Sequence, residues 1–174
     1  MAQLKCGTVV SIMDSIAPRK LAEEWDNVGL IIGDSSSNVN KIMVSLDLPV
    51  WVVDEAVENN VDMIITHHPI IFNPIKKINS DTALGKKIIK LIKNNISVYS
   101  SHTNYDIAQN GLNDIFAKQL GFEKTEIIKT TSQEKLFKIV VYIPEGFEDK
   151  ILEEMSKAGA GCIGNYSNCS FRVK

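Results

Sequence analysis

The residues of this chain best suited to chemistry are two adjacent histidines, His67 and His68, which directly follow a short apolar run. That run, residues 63–65, contains β-branched side chains and predicts a buried strand. Pro69 ends the strand, because proline donates no ladder hydrogen bond and disfavours helical backbone at His68. Since neighbouring side chains of a regular strand point to opposite faces, both imidazoles serve one site only if the backbone turns there. The alternative is that one or both histidines are hydrogen-bonded parts of the core.

Polar side chains also follow two other predicted strands. His102 and Asp106 come after the strand 96–99, and Asp47 lies near the end of an earlier one. Open α/β sheets bind ligands at the carboxyl ends of their strands, so these groups are expected to converge with the histidine pair on one crevice. Imidazoles together with a carboxylate are suitable ligands for zinc, iron or manganese. The pattern therefore predicts a divalent metal site.

The individual roles within such a site remain open from the residues alone. Consecutive histidines have diverging side chains, which suits two ions of a pair better than one ion, and a dinuclear site can clamp a substrate oxygen and activate water. Asp106 is either a ligand or a helix or turn cap. For His102 we rank substrate binding, proton transfer or orientation of a ligand above direct ligation. Asp26 and Asn27 are interpreted as a structural turn, with a place in the crevice wall as the alternative.

The charge of a dinuclear site is incomplete with these ligands. The two neutral histidines and Asp106 supply a single negative charge against the four positive charges of two divalent ions. Further anionic ligands must therefore come from Asp47, from another chain, from substrate or from sequence beyond this chain.

Hydrophobic periodicity predicts the elements that position these groups. The unit 41–66 reads as strand–helix–strand, which favours parallel pairing. Ser80 or Asp81 is predicted to cap the fourth helix, and Asn110 the fifth. The fold class expected is α/β, a three-layer, mostly parallel sheet with flanking helices. The predicted helices are 8–17, 18–25, 49–58, 81–93 and 110–120, and the predicted strands are 30–32, 41–48, 63–66 and 96–99.

The pattern of apolar residues changes in the last part of the chain, from Thr125 on. We predict a first domain over residues 1–128, a polar linker over 129–135 and a second segment over 136–174. The second segment reads as a strand over 136–143, a helix over 147–158 and a strand pair over 162–173. This is the order of a β-α-β unit.

Composition narrows the function classes. The chain has 174 residues, 44% apolar and 23% charged, and a net charge of -2, so general attraction to nucleic acid or acidic membranes is not expected. Its three cysteines include no Cys-x-x-Cys, which argues against a disulfide framework and for a cytoplasmic location. No phosphate-binding glycine motif or nucleophilic serine elbow stands out.

Three segments resemble motifs of the Nif-three-like family, also known as type 2 GTP cyclohydrolase I homologues. The resemblance covers about residues 5–125, with the motifs in the family's order and spacing. The segments are Trp25-Asp26-Asn27-Val28-Gly29-Leu30 with Gly33, Thr66-His67-His68-Pro69 with Phe72, and Ser101-His102-Thr103-Asn104-Tyr105-Asp106.

The resemblance implies a dinuclear divalent metal centre in a toroidal homohexamer. His67, His68 and Asp106 match the family's amino-terminal metal ligands, and residues 136–174 look like the beginning of an inserted ferredoxin-like domain similar to PII and CutA proteins. The family's carboxyl-terminal half, which brings a further histidine and glutamate, has no counterpart here. We therefore expect a truncated member with an incomplete site.

Two functions of different classes follow from this reading. The first is a metal-dependent hydrolase acting on a nucleotide such as GTP, with His102 as the catalytic proton shuttle. The second is a metal-binding scaffold or regulatory protein that binds a protein partner without turnover. A third reading makes the histidines purely structural.

Overall fold

The computed structural model describes residues 3–128, 130, 137–163 and 166–173. By its internal contacts the chain divides into two compact units, Met1–Ser132 and Gln133–Lys174. The predicted linker 129–135 lies, apart from residue 130, outside the described residues. The two units are described separately below.

The first unit contains four strands and five α-helices in the described residues. The strands and the four longer helices fall at or near their predicted positions, whereas the predicted helix 18–25 is only a 3₁₀ turn, Arg19–Leu21, and α4 was not predicted. In chain order the elements are α1 Cys6–Ile16, β1 Gly29–Ile32, β2 Ile42–Ser45, α2 Val50–Glu58, β3 Met63–Thr66, α3 Ala83–Lys93, β4 Ser97–Ser100, α4 Thr103–Ile107 and α5 Leu112–Gln119.

The four strands form one mixed sheet in the order β1-β4-β3-β2. The pairs β2–β3 and β3–β4 are parallel, and β1 runs antiparallel to β4. The register places Ser45, Thr66 and Ser100 side by side, so the three parallel strands end at the same level. This confirms the predicted α/β class and aligns the strand ends that the polar residues follow.

The alternation of side chains along the strands divides the core between two faces of the sheet. Ile64 and Val98 belong to a cluster with α2 and α3, whereas their neighbours Met63 and Tyr99 belong to a cluster with Cys6 and Val9 of α1. Helices therefore cover both faces. At roughly 25 cal/mol per Å² of apolar surface removed from water, this burial is the main term that holds the layers together.

Two predicted helix caps are corrected by the structure. Thr82, and not Ser80 or Asp81, caps α3, because its Oγ1 accepts a hydrogen bond from the Gly85 N–H at 3.0 Å. Gly111 is the N-cap of α5, since Asn110 lies one position too early, with φ at +59°. The Asn110 N–H instead donates to the Asp114 carboxylate at 2.6 Å.

The second unit contains the predicted helix as α6, Glu148–Lys157. The described residues of the predicted strand, 137–143, form no ladder, and residue 136 lies outside the described part. Within the described residues of the predicted strand pair there is one bridge, between Ile163 and Tyr166. A strand needs ladder hydrogen bonds from a neighbour, and no described residue supplies them to 137–143. The ferredoxin-like arrangement stays a prediction.

The described ranges contain no helix with both the length and the apolar character that crossing a bilayer requires.

Tyr99 gives the first unit a specific dependence on alkaline pH. Its side chain is fully buried, and its hydroxyl donates to Asp14 at 2.8 Å, which in turn pairs with Arg19. Burial, together with the Asp14 carboxylate, raises the pKa of Tyr99 above the ordinary value of 10.0. Because the unfolded chain loses the proton first, the stabilisation is present below about pH 10 and is lost as the pH rises beyond it.

We expect the free energy of unfolding to fall more steeply between about pH 9.5 and 11 in the wild type than in Tyr99→Phe. Urea unfolding across this range measures the slope. Tyr142→Phe, which removes an exposed phenol from the second unit, is the control. Equal slopes in wild type and Tyr99→Phe would contradict the assignment.

Candidate metal centre

The histidine pair lies at a bend that directly follows β3. The His67 and His68 N–H groups donate to the Ser45 and Leu46 carbonyls at 3.3 and 3.0 Å. The hydrogen bonds between β2 and β3 therefore continue beyond Thr66, the last residue of β3. Both residues nevertheless bend the chain, and their ring centroids lie 5.0 Å apart at an interplanar angle of 53°. The turn that the sequence required for a shared site is therefore present.

His102 joins this pair from the end of β4. Its ring centroid lies 5.0 Å from that of His67 and 5.5 Å from that of His68, with edge contacts in both cases. One ring nitrogen of each histidine lies within 4.8 Å of the other two. The three residues are named here the histidine cluster. Its members come from two adjacent parallel strands, as the alignment of the strand ends allows.

Each member of the histidine cluster has its Nδ1 against an oxygen. A carbonyl or a carboxylate only accepts hydrogen bonds, so Nδ1 carries the proton and, in a neutral ring, Nε2 keeps its lone pair. This is how metal-binding histidines are usually oriented by their neighbours. The contacts are His67 to the Ser101 carbonyl at 2.9 Å, His68 to Asp47 at 2.7 Å and His102 to Asp26 at 3.0 Å.

Asp26, for which the sequence left open a structural turn and a place in the crevice wall, lies against His102. Its side chain is completely buried and accepts hydrogen bonds from the Asn27 N–H at 2.8 Å, the Thr103 N–H at 3.1 Å, the Thr103 hydroxyl and His102. Burial by itself raises the pKa of the Asp26 carboxyl, but these hydrogen bonds outweigh burial and leave the pKa below its ordinary value. Asp26 is both the turn residue that was expected and the anion that orients His102.

The predicted ligand Asp106 lies beside the histidine cluster, in the first turn of α4. Its Oδ1 is 3.7 Å from His67 Nε2, which is too long for a hydrogen bond. Two ligands of one ion with bonds of about 2.1 Å lie at most about 4.2 Å apart, so this separation suits a shared ion. The N-cap of α4 is His102, so Asp106 does not cap that helix.

The position of α4 depends on two polar residues that the sequence reading did not single out. Asn104 is fully buried; its Nδ2 donates to the Ala17 carbonyl at 2.7 Å and its Oδ1 accepts from the His102 N–H at 2.9 Å. The Thr103 hydroxyl also accepts from the Glu23 N–H at 3.0 Å. These bonds attach the segment after α1 to the helix that carries Asp106. The sequence signal that could have found them is their place in the motif 101–106, between His102 and Asp106.

The donor set fits a divalent metal ion. Imidazole nitrogens with one carboxylate are the ligands that zinc and related ions take, and the Nδ1 contacts supply the outer hydrogen bonds such sites need. Ser101 Oγ, in the residue whose carbonyl accepts from His67, is buried without a hydrogen-bond partner among the described residues, and a buried hydroxyl of this kind needs a partner. The residues present can therefore hold an ion.

Comparison with known proteins gives a family match and several similar relatives. The chain matches the family described as Duf34/NIF3 (NGG1p interacting factor 3) over residues 4–172. It is 41% identical to a protein of Halalkalibacterium halodurans over 167 residues, and 48% identical to one of Listeria innocua over 164 residues. Both are named GTP cyclohydrolase 1 type 2 homolog. The matches cover 96% and 94% of this chain but only 45% and 44% of those relatives.

Solved structures give the same result. A Bacillus cereus protein related to NIF3 is similar with a TM-score of 0.71 and 38% identity, covering 98% of this chain and 47% of that one. A Staphylococcus aureus protein is similar over 70% of this chain and 34% of that one, with a TM-score of 0.66 and 37% identity. The chain thus spans less than half the length of these relatives.

Proposed function

The chain belongs to the Duf34/NIF3 (NGG1p interacting factor 3) family, and on that premise we propose that its histidine cluster binds divalent metal ions for the hydrolysis of a nucleotide such as GTP. The observation that carries the proposal is the convergence of three imidazoles. The Nδ1 atom of each is hydrogen-bonded to an oxygen, so the three Nε2 atoms are left for ligation or proton transfer. The choice of a nucleotide as the substrate rests on the name of the relatives, GTP cyclohydrolase 1 type 2 homolog.

In this proposal His67, His68 and Asp106 hold two ions, of zinc, iron or manganese. The support is the 3.7 Å separation between His67 Nε2 and Asp106 Oδ1, together with the imidazole of His68, whose ring centroid lies 5.0 Å from that of His67. When bound, the ions supply Lewis-acid polarisation of a substrate oxygen and activation of water.

His102 is assigned the proton transfer. Its Nδ1 faces the buried, ionised Asp26, whereas that of His67 faces a neutral carbonyl and that of His68 an exposed carboxylate. The Asp26 carboxylate fixes the orientation and tautomer of the His102 ring, so its Nε2 is placed to accept a proton and return it to a leaving group. This assignment deepens the role predicted from the sequence.

The assembly and the remaining ligands are also proposals. We infer a homohexamer in the cytoplasm, further anionic ligands from sequence that the longer relatives have in addition, and a ferredoxin-like second unit over residues 136–174. The resemblance of the three motifs to the family supports each of them. Sedimentation velocity of the purified protein tests the hexamer, and a monomer would contradict it.

The metal content of the purified protein tests the proposal. After incubation with Zn²⁺ or Mn²⁺ and gel filtration, elemental analysis is expected to find bound metal in the wild type and a loss of at least half in His67→Ala and Asp106→Ala. Asp81→Ala, an exposed carboxylate outside the site, should retain the metal. A folded wild-type protein without metal would overturn metal binding by this chain.

Turnover then separates the two functions. GTP incubated with the loaded protein is expected to be hydrolysed at a rate that a chelator abolishes and that His102→Ala reduces by about 10²- to 10⁴-fold. Stoichiometric metal without any turnover of nucleoside triphosphates would favour the non-catalytic scaffold. In that case a metal-dependent protein partner becomes the expectation to test.

A further inference from the structure

Two aromatic side chains lie exposed at the edge of the histidine cluster. Trp25 is 58% and Phe72 49% exposed, and their ring centroids lie 5.7 Å apart at an interplanar angle of 51°. They come from different loops, one before β1 and one after β3. We propose that this aromatic platform, Trp25 with Phe72, binds the planar ring of a nucleobase beside the cluster. The proposal deepens the proposed function and rests on it for the placement of the reacting group.

The platform adjoins the group assigned to proton transfer. The ring of His102 meets Trp25 edge-on at 6.2 Å between centroids and Phe72 at 6.5 Å. A ring stacked on the platform is therefore a neighbour of His102, and the substituents of that ring come within reach of the cluster. Neither aromatic ring takes part in the metal chemistry, so the function proposed above leaves both unexplained.

The structure holds the platform in place before any ligand binds. The Asn27 side-chain amide donates to the Ile71 carbonyl at 2.6 Å, which connects the residue two after Trp25 to the residue before Phe72. Asp26, the neighbour of both Trp25 and Asn27 in sequence, is anchored by its four hydrogen bonds. A preformed surface loses little conformational entropy on binding, so exposed rings held in this way favour recognition.

The size and chemistry of the platform favour a small planar ring. Trp25 and Phe72 already contact each other, so a ligand ring stacks on their exposed side and is not inserted between them. Two side chains are far less than the roughly 800 Å² per partner of a stable protein interface. Stacking of a base on an aromatic side chain is favourable for every base, because each has a π face.

Tryptophan fluorescence tests the platform directly. The chain has two tryptophans, and Trp51 lies exposed on α2, so Trp51→Phe leaves Trp25 as the single reporter. We expect saturable quenching by GMP, AMP and UMP and none by ribose 5-phosphate, which lacks the ring. Phe72→Leu, which keeps an apolar side chain, should weaken nucleotide binding about tenfold.

The outcomes distinguish this proposal from the function it rests on. Absence of quenching by all three nucleotides, or unchanged affinity in Phe72→Leu, overturns the platform. Nucleotide quenching without metal-dependent turnover supports the platform and contradicts the hydrolase. Turnover whose KM for GTP is the same in wild type and Phe72→Leu supports the hydrolase and contradicts the platform. Thermal unfolding of each variant confirms that the substitution has not unfolded the chain.

Discussion

Replacing Asp26 by asparagine is expected to lower the affinity for Zn²⁺ about 10- to 100-fold, because Asp26 holds the start of α4, the helix that carries the proposed ligand Asp106. Asp26 is not one of the proposed metal ligands. It fixes the His102 ring through Nδ1 and holds the start of α4 through Thr103, so it positions both His102 and Asp106. Metal titration by calorimetry measures the affinity.

The Asp26→Asn variant should also be less stable without metal, by about 1–3 kcal/mol. Every partner of the Asp26 side chain among the described residues is a hydrogen-bond donor, and the asparagine amide presents two more donors to them. Because the side chain is completely buried, water cannot satisfy the mismatch. Urea unfolding of the metal-free protein measures this loss.

The chain offers a matched control for Asp26→Asn. Asp47 makes the same carboxylate-to-Nδ1 contact with His68, at 2.7 Å, but its side chain is 62% exposed. Asp47→Asn should therefore change stability little, since water replaces the lost interaction. If Asp47→Asn and Asp26→Asn lower the free energy of unfolding equally, the burial of Asp26 does not explain its contribution to stability.

Replacing Gly111 by alanine is expected to destabilise the protein by about 2–3 kcal/mol. The φ of Gly111 is −78°, which alanine adopts freely, so the effect comes from space alone. A β-carbon there would lie 2.0 Å from the Tyr105 carbonyl oxygen and 2.7 Å from that of Ala108. Both atoms are backbone, so relief requires α4 to move, and metal affinity should fall with stability because α4 carries Asp106.

Gly121→Ala separates this clash from backbone strain. Gly121 ends the same helix, α5, with φ at +84° and nothing within 4 Å of the added β-carbon. Its substitution should cost about 1 kcal/mol and leave metal affinity unchanged. Urea unfolding with metal titration of both variants makes the comparison. A Gly111→Ala protein as stable as Gly121→Ala would show that the contact between α4 and α5 relaxes easily.

Local patterns were enough to predict the elements that carry the site. The apolar run before His67 and the run before Ser100 are short, β-branched and bounded by polar residues, and both are strands of the sheet. The parallel pairing of β2 with β3 followed from the helix predicted between those two strands, since parallel neighbours require such a crossover. Once these strands are adjacent, their carboxyl ends must deliver polar residues to one edge.

Helix α4 and the caps could not be predicted with the same certainty. Five residues, Thr103–Ile107, are too few to show helical periodicity, and this helix is held by side chains such as Asn104 rather than by its own propensity. The cap of α3 was misplaced by one or two residues because Ser80, Asp81 and Thr82 are all suitable caps, and only the backbone geometry chooses among them.

By itself, the sequence of this protein determined the α/β class, the strands and the histidine pair, because these depend on periodicity and on neighbours along the chain. The tertiary structure decided which groups meet. Asp26 lies 76 residues from His102, and the Asn27–Ile71 bond joins loops 44 residues apart. Such contacts leave no periodic trace in the sequence, since a hydrogen bond depends on distance and direction in space, which only the packed helices and sheet establish.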